Sequence, residues 1–90
     1  MLKKKKNMEA VVSNLCDFVV NELLYASDID TIDGADELLT TGLLDSLGSA
    51  QLMAFAEETW AIKFAPADLT LENFNTLEAF AALIARHAAL

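Results

Sequence analysis

The pattern of apolar and polar positions predicts four helices along this chain. From about Asn7 to Tyr25, apolar residues recur every three or four positions with polar residues between them, which is the periodicity of an amphipathic helix. A second helix is expected from about Ser46 to Trp60. Its apolar stripe is predicted to comprise Leu47, Ala50, Phe55 and Trp60, with Leu52, Met53 and Ala56 beside them.

A long polar connection separates these two helices. Residues 26–36 contain serine, glycine and several aspartates, whose side chains favour turns over helix. A loop of this length needs apolar anchors to stay ordered. The anchors that we expect are Ile29, Ile32, Leu38 and Leu39.

Two further helices are predicted after the second. Pro66 suits a first helical turn, so a short third helix is expected from Pro66 to about Glu72. Asn75 or Thr76 is expected to cap the last helix, whose inward face carries mainly leucine, phenylalanine and alanine. No stretch alternates apolar and polar residues for long enough to predict a strand. The sequence therefore predicts an all-α fold, a small four-helix bundle with a short third helix.

Charge is distributed unevenly along the chain. Lys3 to Lys6 are four of the six basic residues, so residues 7–90 carry all 14 acids against Lys63 and Arg86, a formal charge of −12. We expect residues 1–6 to be a basic, disordered segment and residues 7–90 to be a single domain. An acidic field disfavours nucleic acid and anionic membranes, and it attracts basic partner surfaces.

The same composition bears on location and assembly. No apolar run reaches the roughly 18 residues of a membrane span, so membrane insertion is not expected. Cys16 is the only cysteine, which excludes an internal disulfide and fits a reducing compartment. The thiol lies on the apolar stripe of the first helix and is expected in the core. We therefore expect a cytoplasmic protein, and we expect it to be a monomer.

Asp45 and Ser46 stand side by side at the predicted start of the second helix. Oxygen side chains at such a position accept hydrogen bonds from unpaired backbone N–H groups. The helix dipole also favours an anion there, so a phosphoester on Ser46 is chemically sensible. The competing interpretation is that Ser46 serves only as an N-cap.

Catalytic and metal-binding roles have less support. A nucleophilic serine needs a base within hydrogen-bond reach, and His87 is the only histidine in the chain. We therefore expect no enzymatic activity and no catalytic residues. The loop acids lack the pattern of a calcium-binding loop, so no metal site is expected either. Aromatic residues at helix ends are interpreted as core residues: Trp60, Phe64 and Phe74.

The segment Gly42-Leu-Leu-Asp-Ser-Leu-Gly48 resembles the prosthetic-group attachment motif of the phosphopantetheine carrier proteins, which include the acyl and peptidyl carrier proteins. The resemblance spans nearly the whole chain, because the first helix, the long loop, the Trp60-Ala-Ile-Lys63 stretch and the closing helix agree in order and spacing. It implies a small acidic bundle of the acyl-carrier-protein type. It further implies 4'-phosphopantetheine covalently attached to Ser46, with Asp45 supporting the attachment.

The resemblance also implies a set of partners. A phosphopantetheinyl transferase modifies the serine, an adenylating enzyme loads an aminoacyl or acyl group onto the arm as a thioester, and a downstream acyltransferase takes it off. The partner-facing edge of the second helix is then expected to comprise Leu47, Gly48, Gln51 and Met53.

Within the family, the residues after Ser46 are more similar to one subtype than to another. Fatty-acid carriers tend to place acids along the second helix, whereas Gly48, Ser49 and Gln51 are uncharged here. Together with Phe74-Asn-Thr76, this pattern is more similar to D-alanyl carrier proteins and related stand-alone aminoacyl carriers. A fatty-acid or polyketide acyl carrier is the alternative. An unmodified helical adaptor, with Ser46 only an N-cap, is the alternative from another class.

Overall fold

The structure, a computed structural model, describes residues 2–24 and 31–88, and the only regular secondary structure in these ranges is helical. Side chains are described from Met8 onward. The helices are α1 (Leu2–Phe18), continued by a π-helical turn (Val19–Leu23), then α2 (Ser46–Trp60), a 3₁₀ turn (Pro66–Asp68), α3 (Leu71–Phe74) and α4 (Leu77–Ala88). The prediction of an all-α fold is confirmed. Within the described ranges, no helix has both the length and the apolar character needed to cross a bilayer.

Helix α1 and the π-helical turn that continues it bury one face from Val11 to Val19. Val11, Leu15 and Val19, spaced by four residues, are almost completely buried, as the apolar periodicity predicts. The helix begins at Leu2, earlier than predicted, and its last turn is π-helical, with Leu24 N–H donating to Val19 O at 2.8 Å. The expected disordered segment over residues 1–6 stays a prediction, and Tyr25 lies outside the described residues.

The buried face of helix α2 overlaps the predicted stripe only in part. Gly48, Leu52 and Ala56 are buried, whereas Leu47 is 66% exposed and Ala50 is exposed. At about 100° per residue, Leu47 lies about 140° around the helix from Leu52, so both cannot face the core. Apolar side chains surround much of this helix, and the predicted stripe was therefore wrong at these two exposed positions.

The predicted third helix is two short elements. A 3₁₀ turn over Pro66–Asp68 and the four-residue helix α3 are joined by Leu69 and Thr70. Thr70 caps α3 by accepting a hydrogen bond from Asn73 N–H. Thr76 Oγ1 accepts a hydrogen bond from Ala79 N–H at 3.1 Å, which confirms the predicted cap of α4.

One core joins α1, α2 and α4. Phe80, Leu77, Leu83 and Ile84 of α4 are buried against it. The loop enters this packing at Gly34, whose carbonyl accepts a hydrogen bond from Glu78 N–H at 3.0 Å. A β-carbon at Gly34 would lie only 2.9 Å from Val12 Cγ1, so the missing side chain permits this close approach.

The loop anchors and the aromatic residues have distinct places. Leu38 is fully buried, Ile32 and Leu39 are partly buried, and Ile29 lies outside the described residues. Phe74 is buried, and Phe64 packs against it with ring centroids 5.9 Å apart. Trp60 belongs to a separate group, because its ring contacts Phe55 at 6.0 Å. The interpretation as core residues is confirmed for Phe74, whereas Phe64 and Trp60 are partly buried and pack against the core.

Asp68 ties the 3₁₀ turn to the end of α4. Its Oδ2 accepts a hydrogen bond from Ala65 N–H at 2.8 Å and lies 2.7 Å from His87 Nε2. These contacts, first the Ala65 N–H and then the imidazole, hold the pKa of Asp68 below its ordinary value. The carboxylate form of Asp68 therefore stabilises the folded state.

We predict that Asp68→Asn lowers the free energy of unfolding at neutral pH and that this loss fades in acid. A carboxyl whose pKa is lowered by folding contributes stability above the ordinary aspartate pKa, about 3.9. That contribution is lost as the pH falls through the lower pKa of the folded state. Urea unfolding of wild type and Asp68→Asn at pH 7 and pH 3 measures the difference in their free energies of unfolding. Glu72→Gln is the charge-matched control. A deficit of equal size at both pH values would contradict the prediction.

Candidate functional site

Asp45 determines where α2 begins. Its backbone is extended, with φ −100° and ψ −173°, and its Oδ1 accepts a hydrogen bond from Gly48 N–H at 2.8 Å. Asp45 O also accepts the first helical hydrogen bond, from Ser49 N–H at 2.9 Å. Asp45 is therefore the N-cap, and the interpretation of Ser46 as an N-cap is wrong.

Ser46 is the first residue of α2, and its side chain is exposed. Its hydroxyl makes no hydrogen bond to any residue in the described ranges, 2–24 and 31–88. The backbone N–H groups of Ser46 and Leu47 lie in the first turn, where no carbonyl of the same helix can accept from them. Within the part of the chain that the structure describes, the helix start thus combines a hydroxyl and N–H donors that have no partner with the positive end of the helix dipole.

The loop before Ser46 is compact. Gly42 has φ +77°, a conformation that favours glycine, and its N–H donates to Leu39 O at 3.1 Å to close a turn. Two buried leucines hold the ends of this turn, because Leu44 N–H donates to Leu38 O at 3.0 Å. The turn places Asp45 directly after the buried Leu44. The glycine and the leucines are the sequence features that could have predicted this turn.

Asn75 holds this loop from the junction of α3 and α4. Its Oδ1 accepts hydrogen bonds from Leu39 N–H at 3.0 Å and Thr40 N–H at 3.1 Å, and its backbone O accepts from Leu38 N–H at 2.7 Å. Its Nδ2 donates to Glu37 Oε1 at 3.1 Å. We call Asn75 and residues 37–40 the Asn75 clamp. The sequence signals Asn75 only as a possible cap, since its partners lie at least 35 residues away.

Two grooves flank the start of α2. One, of about 530 Å³ with mainly apolar walls, lies on the side of Ser46 and is lined by Leu39, Leu44, Asp45, Ser46, Ser49, Ala50 and Met53. The other, of about 250 Å³, lies on the opposite flank and is lined by Leu23, Gly42, Leu43, Leu44, Asp45, Leu47, Gly48 and Gln51. The π-helical turn after α1 supplies Leu23 to this second groove. Ser46 therefore borders the larger of the two.

The predicted partner-facing residues divide between these flanks. Leu47 and Gln51 are exposed beside the smaller groove, and Met53 is half-buried beside the larger one. Gly48 is buried, and a β-carbon there would lie 3.3 Å from both Asp45 Oδ1 and Leu44 Cδ2. These four residues therefore do not form one continuous exposed edge, and Gly48 has a packing role beneath the cap.

His87, the only histidine in the sequence, has its contacts away from Ser46. His87 contacts Asp68 and packs edge-on against Phe64, with ring centroids 5.8 Å apart. Asp28 and Asp30 lie outside the described residues, and no group of three or more potential metal ligands comes together among the described ones.

A further groove of about 400 Å³, lined by Met8, Glu9, Val12, Ser13 and Glu78, lies between α1 and α4.

Cys16 is partly buried against the core. Burial raises the pKa of its thiol, and the charges of Asp17, Asp33 and Asp36 raise it further. Because the thiolate is the reactive form, this thiol is expected to react slowly with disulfide reagents near neutral pH.

Comparison of the sequence with models of protein families gives no match, and comparison with curated proteins finds no significant relative. Membership of the carrier family stays a prediction. The geometry at the start of α2 is therefore the basis of the proposed function.

We predict that Asp45 and Ser46 contribute differently to stability. Asp45→Ala removes the cap and should lower the free energy of unfolding by about 1 kcal/mol. Ser46→Ala removes a hydroxyl that caps nothing and should change it by no more than about 0.5 kcal/mol. Urea unfolding monitored by circular dichroism compares the two variants. A larger loss for Ser46→Ala than for Asp45→Ala would contradict the cap assignment.

Proposed function

We propose that this protein is a non-catalytic carrier whose Ser46 bears a covalently attached 4'-phosphopantetheine arm. The observation that carries the proposal is the arrangement at the start of α2. Asp45 supplies the cap, so the neighbouring hydroxyl of Ser46 is exposed and has no structural partner among the described residues. A hydroxyl in this state is available to a modifying enzyme.

The same helix start suits the phosphate of such an arm. A phosphodiester on Ser46 is an anion next to unpaired N–H groups and the positive end of the α2 dipole, which stabilise it. The role that we assign to Asp45 is to fix this start through its hydrogen bond to Gly48 N–H. Few carboxylates stand close to Ser46 in sequence, because Asp45 is the only acid between Glu37 and Glu57.

Attachment is a phosphoryl transfer that a partner enzyme catalyses. Ser46 Oγ forms a bond to the phosphorus of coenzyme A that bears the pantetheine arm. The bond from that phosphorus to the bridging oxygen breaks, and adenosine 3',5'-bisphosphate leaves. The hydroxyl proton passes to a base of the phosphopantetheinyl transferase, since this chain presents no histidine to Ser46. The attached arm supplies a terminal thiol, which carries a cargo as a thioester.

An aminoacyl group is the cargo that we propose, and a small acyl group is the alternative within the same class. The groove beside Ser46 is open to solvent, and Ser49, Ala50 and Met53 line it. Beneath α2, Leu52 and Ala56 are packed into the core, so a long chain inserted there would have to displace them. An adenylating enzyme then loads the arm, and an acyltransferase receives the cargo.

The helical architecture agrees with this function. Three longer helices share one core, and in a carrier-type bundle the short elements between α2 and α4 would take the place of the third helix. The net charge of −8 favours basic partner surfaces. We infer that the protein acts as a cytoplasmic monomer visited in turn by its enzymes.

Exposed leucines favour a second candidate function, an unmodified helical adaptor. Leu47, Leu69 and Leu71 are each more than half exposed, and apolar side chains of this size are suited to a protein contact. A carrier also uses such contacts, so the leucines alone do not separate the two functions. Modification of Ser46 separates them.

Incubation with coenzyme A, Mg²⁺ and a broad-specificity phosphopantetheinyl transferase should add one phosphopantetheinyl group to the protein. Intact-protein mass spectrometry measures the addition. Ser46→Ala should abolish it, whereas Ser49→Ala, which removes the other hydroxyl beside the same groove, should not. The product should also gain a fast-reacting thiol, which the partly buried Cys16 does not supply.

An unchanged mass with a transferase that is active on a known carrier would contradict the proposal and favour the adaptor. Incubation of the modified protein with a malonyl transferase then separates the two cargo classes. Efficient malonyl loading, without loading by an amino-acid-adenylating enzyme, would overturn the aminoacyl assignment in favour of a fatty-acid or polyketide carrier.

A further inference from the structure

We propose that Asn75 is a positioning residue for the attachment of the arm to Ser46, an inference that rests on the proposed carrier function. Asn75 belongs to neither α2 nor the loop that precedes it. It nevertheless accepts hydrogen bonds from three consecutive backbone N–H groups of that loop, at Leu38, Leu39 and Thr40. A single residue at the α3–α4 junction thus fixes the path of the chain toward Ser46.

The clamped residues are hydrogen-bonded to the segment that leads to Asp45. Leu38 O accepts from Leu44 N–H at 3.0 Å, and Leu39 O accepts from Gly42 N–H at 3.1 Å. Leu39 also lines the larger groove, together with Ser49 and Met53. A displacement of the Asn75 clamp would therefore move both the start of α2 and the surface beside the attachment point.

The hydrogen-bond partners of Asn75 require a side chain that both accepts and donates, as a carboxamide does. Its Oδ1 faces two N–H donors, while its Nδ2 faces the Glu37 carboxylate at 3.1 Å. A carboxylate at this position would keep the acceptor but would stand against the negative charge of Glu37. A leucine or alanine would leave the loop N–H groups without this acceptor.

Exchanging the amide and the carboxylate between positions 75 and 37 tests this requirement for a donor and an acceptor. In Asn75→Asp the donor to Glu37 is lost and two carboxylates meet. Adding Glu37→Gln supplies an amide donor on the other side of the same contact, so the hydrogen bond is restored in the opposite direction. The Thr40 hydroxyl lies 2.9 Å from Glu37 Oε1 and 3.4 Å from Asn75 Oδ1, and because a hydroxyl can donate or accept, it adapts to the exchange.

The test measures kcat/KM for arm transfer and amide hydrogen exchange at Leu39 and Thr40 in wild type, Asn75→Asp and the Asn75→Asp, Glu37→Gln double variant. We expect Asn75→Asp to lower kcat/KM roughly 10-fold, since misplacing a reacting group by a fraction of an ångström costs about this much. We expect it to speed exchange at both amides. The double variant should return both quantities toward the wild-type values.

Asn73→Ala is the matched control. Asn73 lies in α3, two residues before Asn75, and its carboxamide donates to Asp68 O at 2.8 Å, outside the Asn75 clamp. Thermal unfolding of all variants shows the loss of stability in each. A fall in kcat/KM for Asn73→Ala as large as that for Asn75→Asp would assign the effect to a loss of stability and overturn the proposal. A double variant whose kcat/KM stays as low as that of Asn75→Asp would also overturn it.

The two readouts separate failure of this inference from failure of the carrier function. If the wild-type protein accepts no arm, the carrier function fails, and amide exchange still decides whether Asn75 positions the loop. Unchanged exchange at Leu39 and Thr40 in Asn75→Asp overturns the inference whether or not the arm is transferred. Faster exchange that the double variant reverses supports it.

Discussion

The hydrogen bond from Gly48 N–H to the Asp45 carboxylate is the interaction on which the proposed site depends. It ends the loop and begins α2 in one step, because the same residue also provides the first helical acceptor, for Ser49 N–H. Since Asp45 takes the capping role, Ser46 keeps an exposed hydroxyl. A serine at the capping position would instead have its oxygen occupied by the backbone, and the helix would lose stability if that oxygen were modified.

The packing of α2 supports this division of roles. Gly48, Leu52 and Ala56 bury one face of the helix, so the small residue in the first turn lets Leu44 and the Asp45 carboxylate lie close to the backbone. The opposite face then carries Leu47 and Ala50 into solvent. Ser46 lies on the flank of the larger groove, while Leu47 borders the smaller one. The attachment point and a prominent apolar contact residue thus occupy different sides of the same helix.

Local signals in the sequence are enough to predict the three longer helices and the start of α2. Apolar periodicity locates α1, α2 and α4, and the polar pair Asn75 and Thr76 predicts the cap of α4, which Thr76 provides. The buried face of α2 could not be predicted, since leucine, alanine, methionine and phenylalanine surround most of that helix. The π-helical turn and the division of the third helix have no strong local signature. The contacts of Asn75 with Glu37 and Thr40 span at least 35 residues, and only the fold brings these residues together.

The central claim is that Ser46 carries a phosphopantetheine arm, and the state of the protein in the cells that make it tests this most directly. Trypsin should release one peptide from Asn7 to Lys63, since no lysine or arginine lies between Lys6 and Lys63. Mass spectrometry with fragmentation of this peptide should find a phosphopantetheinyl group on Ser46 and none on Ser49. A peptide from growing cells that carries no such group on Ser46 would contradict the account.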